Sequence, residues 1–175
     1  PAQGRQSARH PGDMLHLIER LLPAPIHRAI LPIAHRVRHT WRKVTKAPIA
    51  GVSVIVTNPA REVMLLRHSY GPKAWGLPGG GMAKGEDPAE CARRELSEEV
   101  GLTVQELEPI GVLKETLSGS PHTSHVFTVQ VSQTPNPDGR EILEARFFAL
   151  DALPDLLTRN VPKRLAMWKA HNKES

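Results

Sequence analysis

The tightest constraint on this chain is the stretch 80–102, GGMAKGEDPAECARRELSEEVGL, because it specifies both ends of a helix and crowds the surface between them with acid. Asp87 is a short acceptor able to take the unbonded N–H groups of a first turn, and Pro88 has its φ already set for a first helical position. Glu90 stands three residues past the cap and can reach back to it. Gly101 supplies the left-handed residue at which helices commonly stop. The spacing therefore predicts a helix over 88–100. Within it Ala89, Ala92, Leu96 and Val100 recur at three and four residues and form one apolar stripe, whereas Glu95, Glu98 and Glu99 gather on another face. Like charges on adjacent turns repel, so something has to compensate them.

Mg2+ and Mn2+ suit that task, since hard cations prefer carboxylate, carbonyl and water oxygens and are often held together with substrate phosphates. The competing reading is a solvated acidic face, with Arg93 and Arg94 neutralising part of it and Arg94 within reach of Glu90 or Glu98. The helix alone leaves both open. The wider spacing separates them: Gly80, five residues, Glu86, seven residues, Arg94-Glu95-Leu96, one residue, Glu98-Glu99, one residue, Gly101-Leu102. Nine specified positions coincide by chance with a probability on the order of 1e-9 per starting point at average residue usage. The stretch resembles the Nudix box at every specified position, and the chain is similar to Nudix hydrolases of the MutT-like kind.

That resemblance implies an α/β fold, the Nudix-type α/β/α sandwich with a mixed sheet, whose loop, helix and loop bind divalent metal and the diphosphate of a nucleoside diphosphate derivative. It implies Mg2+ or Mn2+ as cofactor, Glu95, Glu98 and Glu99 as metal ligands and catalytic residues, and the carbonyl of Gly80 as a backbone ligand. Arg94 and Glu86 take the place of residues that orient the glutamates. The general base is not placed consistently in the family; Glu95 is one candidate and a glutamate outside the box another. Glu144 precedes Phe147-Phe148, which resembles the family's spacing of glutamate and aromatic, and Glu141 lies beside it. Both compete with a solvated surface role. The residue types also fit the chemistry, because a diphosphate repels an anionic nucleophile until its oxygens are neutralised.

Charge divides the chain. Residues 1–47 hold nine Lys or Arg against Asp13 and Glu19, which is +7, and the remainder holds fourteen against sixteen, which is −2. The basicity belongs to the N-terminal segment, so the whole-chain pI does not point the catalytic part toward nucleic acid. Two parts are expected: a basic, helical N-terminal extension over 1–47 and a Nudix hydrolase domain over 48–175, with 39% hydrophobic residues in the chain to build a core. Residues 1–12 read as disordered in isolation, and Met14 is a candidate translation start. Residues 14–22 read as a short amphipathic helix ended by Pro23 and Pro25, and 26–44 as a second one kinked at Pro32. Packing on the catalytic domain or on a homodimer partner is the leading reading of these helices. Contact of residues 14–44 with an anionic membrane surface through Arg28, Arg36, Arg38, Arg42 and Lys43, and contact with nucleic acid, compete with it. No transmembrane or secretory segment is visible. Cys91 is the single cysteine, so no intramolecular disulfide can form; a small buried side chain and a cytoplasmic location are expected.

In the domain itself, 50–57 and 62–68 read as a hairpin turned at Asn58-Pro59, with 46–49 as the linker before it. Residues 69–74 read as a loop, and the Trp75-Gly76-Leu77-Pro78 run, similar to the lead-in of family boxes, feeds the box glycines. Arg67, His68, Tyr70 and Lys73 stand just ahead of it as candidate contacts to phosphate or base. Strands are expected over 105–116 and 123–131, joined by a Gly119-Ser120-Pro121 loop, and over 142–150 after a turn at 135–139. His122 and His125 make a poor ligand pair, since strand residues three apart face opposite ways. Two closing helices are expected over 151–157 and 161–171.

The function expected is metal-dependent hydrolysis of the diphosphate linkage in a nucleoside diphosphate derivative, by water attack on phosphorus. Two other readings stand beside it: a catalytically silent ligand-binding or regulatory domain, and a hydrolase of RNA 5′ ends. Leu117 and Ser118 occupy the region where family members acting on ADP-ribose tend to carry a proline, which weakens that substrate.

Overall fold

The computed structural model describes residues 49–71, 73–117, 119–137, 139 and 141–174. The N-terminal helices, their kink and the extension over 1–47 lie outside the described residues. The elements run β1 (Ile49–Thr57), β2 (Val63–His68), β3 (Trp75–Gly76), α1 (Pro88–Val100), β4 (Glu108–Leu117), β5 (Ser120–Gln130), β6 (Ile142–Phe148) and α2 (Val161–Glu174). Six strands form one mixed sheet in the order β3-β2-β1-β5-β4, with β6 on the free side of β2. β1 and β5 are parallel along nine residue pairs, and the other pairings are antiparallel.

Alternation along the strands puts the two helices on opposite faces. Val52, Val54 and Val56 of β1 and Met64 and Leu66 of β2 join Ala92, Leu96 and Val100 of α1 in one core. Their neighbours Ile55, Val63 and Leu65 join Val161, Leu165 and Trp168 of α2 in a second. The α/β/α sandwich follows from this split. No helix among the described residues is long and apolar enough to cross a membrane.

Several local expectations need correction. The hairpin of β1 and β2 pairs only at Thr57 and Val63 and then opens. The wedge between the two strands is filled by the segment that leaves β3: Val54 N–H donates to the Pro78 carbonyl, Val52 N–H to the Gly80 carbonyl and Met82 N–H to the Ala50 carbonyl, at 2.9, 2.9 and 3.0 Å. The box glycines are thus an extended rung of the sheet rather than a free turn. Residues 151–157 are not helical; Pro154 interrupts them, and Trp75 N–H donates to the Leu156 carbonyl instead, at 2.8 Å. Ser120 and Pro121 belong to β5, which pairs Leu117 with Ser120. β4 begins at Glu108 and β6 ends at Phe148, each short of the expected span.

Candidate active site

Helix α1 starts as its sequence demands. Asp87 accepts from Ala89 N–H at 2.9 Å and Glu90 N–H at 3.1 Å, and Gly101 closes the other end at φ 65°, its N–H bonded to the Ser97 carbonyl. These ends set the rotation of the helix. Its apolar stripe packs on β1, and Glu95 and Glu99 are brought up to the segment Gly79–Gly80.

Arg94 is the hub. Its Nε donates to Glu86 Oε1 at 2.9 Å and its Nη2 to Glu86 Oε2 at 3.2 Å, while Nη1 reaches Glu95 Oε1 at 2.8 Å and Glu98 Oε2 at 3.2 Å. The fork shape of a guanidinium is what permits one residue to hold three carboxylates. Nη2 also lies 3.3 Å from the Gly81 carbonyl oxygen, which ties the glycine segment to the helix. The Arg94 hydrogen bonds hold the Glu86 carboxyl below its usual range, and Glu86 in turn accepts from Ala83 N–H at 2.7 Å.

The three box glutamates sit at graded depths. Glu98 is 44% exposed, Glu95 14% and Glu99 6%. Glu99 Oε2 accepts from Gly79 N–H at 3.0 Å. Glu95 lies flush against Gly80, where any side chain would collide with its carboxylate. Burial pushes the Glu95 carboxyl up; Arg94 opposes that, and the nearby charges of Glu98 and Glu141 add to it.

Among the described residues no three His, Cys, Asp or Glu side chains converge into one metal-sized cluster. The donors nonetheless suit a hard dication: the carboxylate oxygens of Glu95, Glu98 and Glu99, and a Gly80 carbonyl with a second lone pair beyond the one facing Val52 N–H.

The structure separates the two glutamates outside the box. Glu144, on β6, is paired with Arg67 at 2.9 Å and with Arg146. Glu141, just before β6, is close enough for its charge to act on Glu95. Of the candidate substrate contacts, Arg67 is held by Glu144 and lies over the Trp75 ring, 5.8 Å from its centre. His68 lines a cavity of about 310 Å³ next to Gly79–Gly81, and Tyr70 packs its ring 5.4 Å from that of His68. Lys73 is exposed and lines no part of the cavity. His122, weighed in the sequence only as a metal ligand beside His125, also lines it, as do Ser124, Asn160 and Arg164, which the sequence does not single out. His122 and Ser124, two apart on one strand, share a face, a legible signal; nothing local marks Arg164.

A model of the NUDIX domain matches residues 47–169. The chain belongs to the Nudix family. Among curated Nudix relatives, the mouse oxidized purine nucleoside triphosphate hydrolase is 32% identical over 105 residues, covering 58% of this chain and 66% of that protein. An RNA pyrophosphohydrolase of Rhodospirillum rubrum is 41% identical over 51 residues, 29% of this chain and 31% of that one. The chain thus spans less than two thirds of the length of both. Among solved Nudix structures, the MutT protein of Methanosarcina mazei Go1 superposes with a TM-score of 0.66 at 24% identity, over 74% of this chain and 98% of that one. That likeness establishes the fold.

Proposed function

We propose that this Nudix domain hydrolyses the diphosphate linkage of a nucleoside diphosphate derivative, releasing a nucleoside monophosphate and a phosphorylated remainder. The observation that carries the reading is the Arg94 hub, which holds Glu86, Glu95 and Glu98 around one guanidinium while Glu99 is tied to Gly79 N–H. Glu95, Glu98, Glu99 and the Gly80 carbonyl would hold Mg2+ or Mn2+. Bound there, the dication would neutralise phosphate oxygens and acidify the attacking water. The protein's own part is to fix and tune the carboxylates. Glu95, with its carboxyl raised by burial, is the box residue best suited to take the proton that water loses, and Glu141, whose charge reaches Glu95, is the second candidate. Glu144 is spent on Arg67 and Arg146.

The test is release of monophosphate from a nucleotide panel with Mg2+ or Mn2+. Glu99→Gln keeps an acceptor for Gly79 N–H but removes a charge; its turnover is expected to fall at least about a hundredfold with the fold intact. Turnover equal to the parent's would remove the proposed chemistry, and release by neither protein would favour a silent ligand-binding domain.

A second reading, hydrolysis at RNA 5′ ends, is favoured by the similarity to an RNA pyrophosphohydrolase and by the +7 charge of residues 1–47. Removing residues 1–47 is then expected to depress cleavage of RNA, and its salt dependence, more than cleavage of free nucleotides.

A further inference from the structure

Charge within residues 48–175 is not spread evenly. The eighteen residues from Leu156 to Lys173 hold five Lys or Arg and no Asp or Glu, whereas the rest of 48–175 holds nine Lys or Arg against sixteen Asp or Glu. The basic stretch is α2 and its lead-in. Val161, Leu165 and Trp168 turn inward to the second core, and Arg164 is buried with them, its Nη2 2.9 Å from both Glu115 Oε2 and Ser124 Oγ. The opposite face is open: Lys163, Ala166, Lys169, Ala170 and Lys173 are all exposed, with Arg159 exposed just ahead of them. Lys163, Ala166, Ala170 and Lys173 fall at spacings of three and four, and Lys169 stands beside them. Lys163 reaches Glu115 only at 3.5 Å, and that carboxylate already serves Arg164, so two cations share one acid. The first turn of α2 holds no carboxylate to set against Lys163 and Arg164, although a helix dipole favours acid there. For helix stability alone that is the wrong sign.

We infer that the outer face of α2 is an RNA-binding surface, holding the phosphate backbone of a chain whose 5′ end is presented to the Nudix box. This deepens the second reading, hydrolysis at RNA 5′ ends, and rests on it. Charge complementarity selects an anionic partner. The make-up of the face selects among anions: the exposed large hydrophobics of the described residues are Val112, Leu143 and Leu156, none of them on α2, so the helix has nothing to bury in a lipid surface. Position selects a polymer with a reactive end. α2 sets out beside the box, since Asn160, Val161 and Arg164 share a cavity with Gly79, Gly80 and Gly81. It then runs along the sheet, and Trp168 and Asn172 line a separate hollow with Thr57 at the far end of β1. Lys173 lies about 18 Å along the helix axis from Val161. A free nucleotide held at the box leaves those lysines unused. An RNA chain, which keeps the triphosphate of its first nucleotide at its 5′ end, offers them a phosphate at every step. Such a surface reads charge and not sequence, because Trp168 is buried and gives bases no ring to stack on.

The experiment uses the full chain and compares it with the triple variant Lys163→Gln, Lys169→Gln, Lys173→Gln, and with the same positions changed to Arg. The probes are a short single-stranded RNA with a 5′-triphosphate, the same RNA with a 5′-hydroxyl, and the free triphosphate of its first nucleoside. The glutamine variant is expected to lose at least about tenfold in affinity for the 5′-hydroxyl RNA at about 0.1 M salt, and its log–log salt slope should shrink by about 2, roughly 0.7 for each phosphate contact given up. Its kcat/KM on triphosphate RNA should fall by a similar factor through KM, while kcat/KM on the free nucleotide stays within about twofold. The arginine variant should match the unaltered protein. RNA affinity and salt slope unchanged in the glutamine variant would overturn the inference. So would an equal loss on the free nucleotide, no RNA binding by the unaltered protein, or a loss of binding to phosphatidylserine vesicles with none on RNA. Cleavage of the free nucleotide but not of the RNA end fails the reading of RNA 5′ ends instead, and the 5′-hydroxyl RNA then decides on the surface alone.

Discussion

Glu86 and Cys91 both lie beside Arg94 yet shift in opposite directions, the first held down by the guanidinium and the second pushed up by burial. Glu86 takes two of the Arg94 hydrogen bonds and anchors that residue against Glu95 and Glu98. Glu86→Gln weakens the anchor without touching a proposed metal ligand, so metal affinity or activity is expected to drop by about 10–100-fold, as for other residues that orient ligands. Titration of metal-dependent activity measures the drop. Cys91 lies fully buried on the apolar side of the same helix, and burial pushes its thiol up to about 12. The native protein should therefore react with a thiol reagent at neutral pH far more slowly than the urea-unfolded chain. The sign for stability follows: the folded thiol stays protonated above the range where the unfolded one ionises, so its contribution is lost as pH rises from about 9 toward about 12.

Helix α1 is the element whose position depends most on its own ends. Asp87→Ala removes the acceptor for two first-turn N–H groups and should cost about 1 kcal/mol in urea unfolding. The same locality explains why α1 was readable residue by residue, while other elements were not. The signals at Asp87, Pro88 and Gly101 act within a few residues of themselves. Residues 151–157 carry leucines at helical spacing, yet Pro154 withholds an N–H and Trp75 of β3 claims the backbone of Leu156 and Thr158. Strand β5 begins at Ser120, ahead of the expected Thr123, because Leu117 and Thr116 of β4 pair with Ser120 and Pro121, a fact of register rather than of sequence.

At the scale of the whole molecule, the site joins α1 to the wedge between β1 and β2, so metal binding should report on the entire fold. Metal at a hundred times its Kd should stabilise the protein by about 2.7 kcal/mol, read as a rise in Tm that chelation reverses. The Glu95 carboxyl, raised by burial, favours its protonated form in the fold, so its own contribution is present at low pH and lost as pH rises through that raised value. Metal replaces the lost proton. The metal-dependent rise in Tm should therefore grow as pH passes upward through the carboxylate range, and the growth should flatten in Glu95→Gln.

What the sequence determined by itself was the box: a capped helix, its acidic face, and the nine spaced positions from Gly80 to Leu102, because capping and helical periodicity are short-range. It also singled out Glu141 and Glu144, with Glu144 favoured for its spacing to Phe147-Phe148. Only the tertiary structure gave Glu144 to Arg67 across β2 and β6, brought Glu141 close enough for its charge to act on Glu95, and slid the glycines into the sheet against β1. It alone carried Arg164 from the far end of the chain to a cavity beside Gly80, 84 positions away in sequence. Those placements depend on strand order and on which residues of two strands stand opposite each other. Such pairings are set by packing both faces of one sheet at once, and no local stretch of residues encodes them.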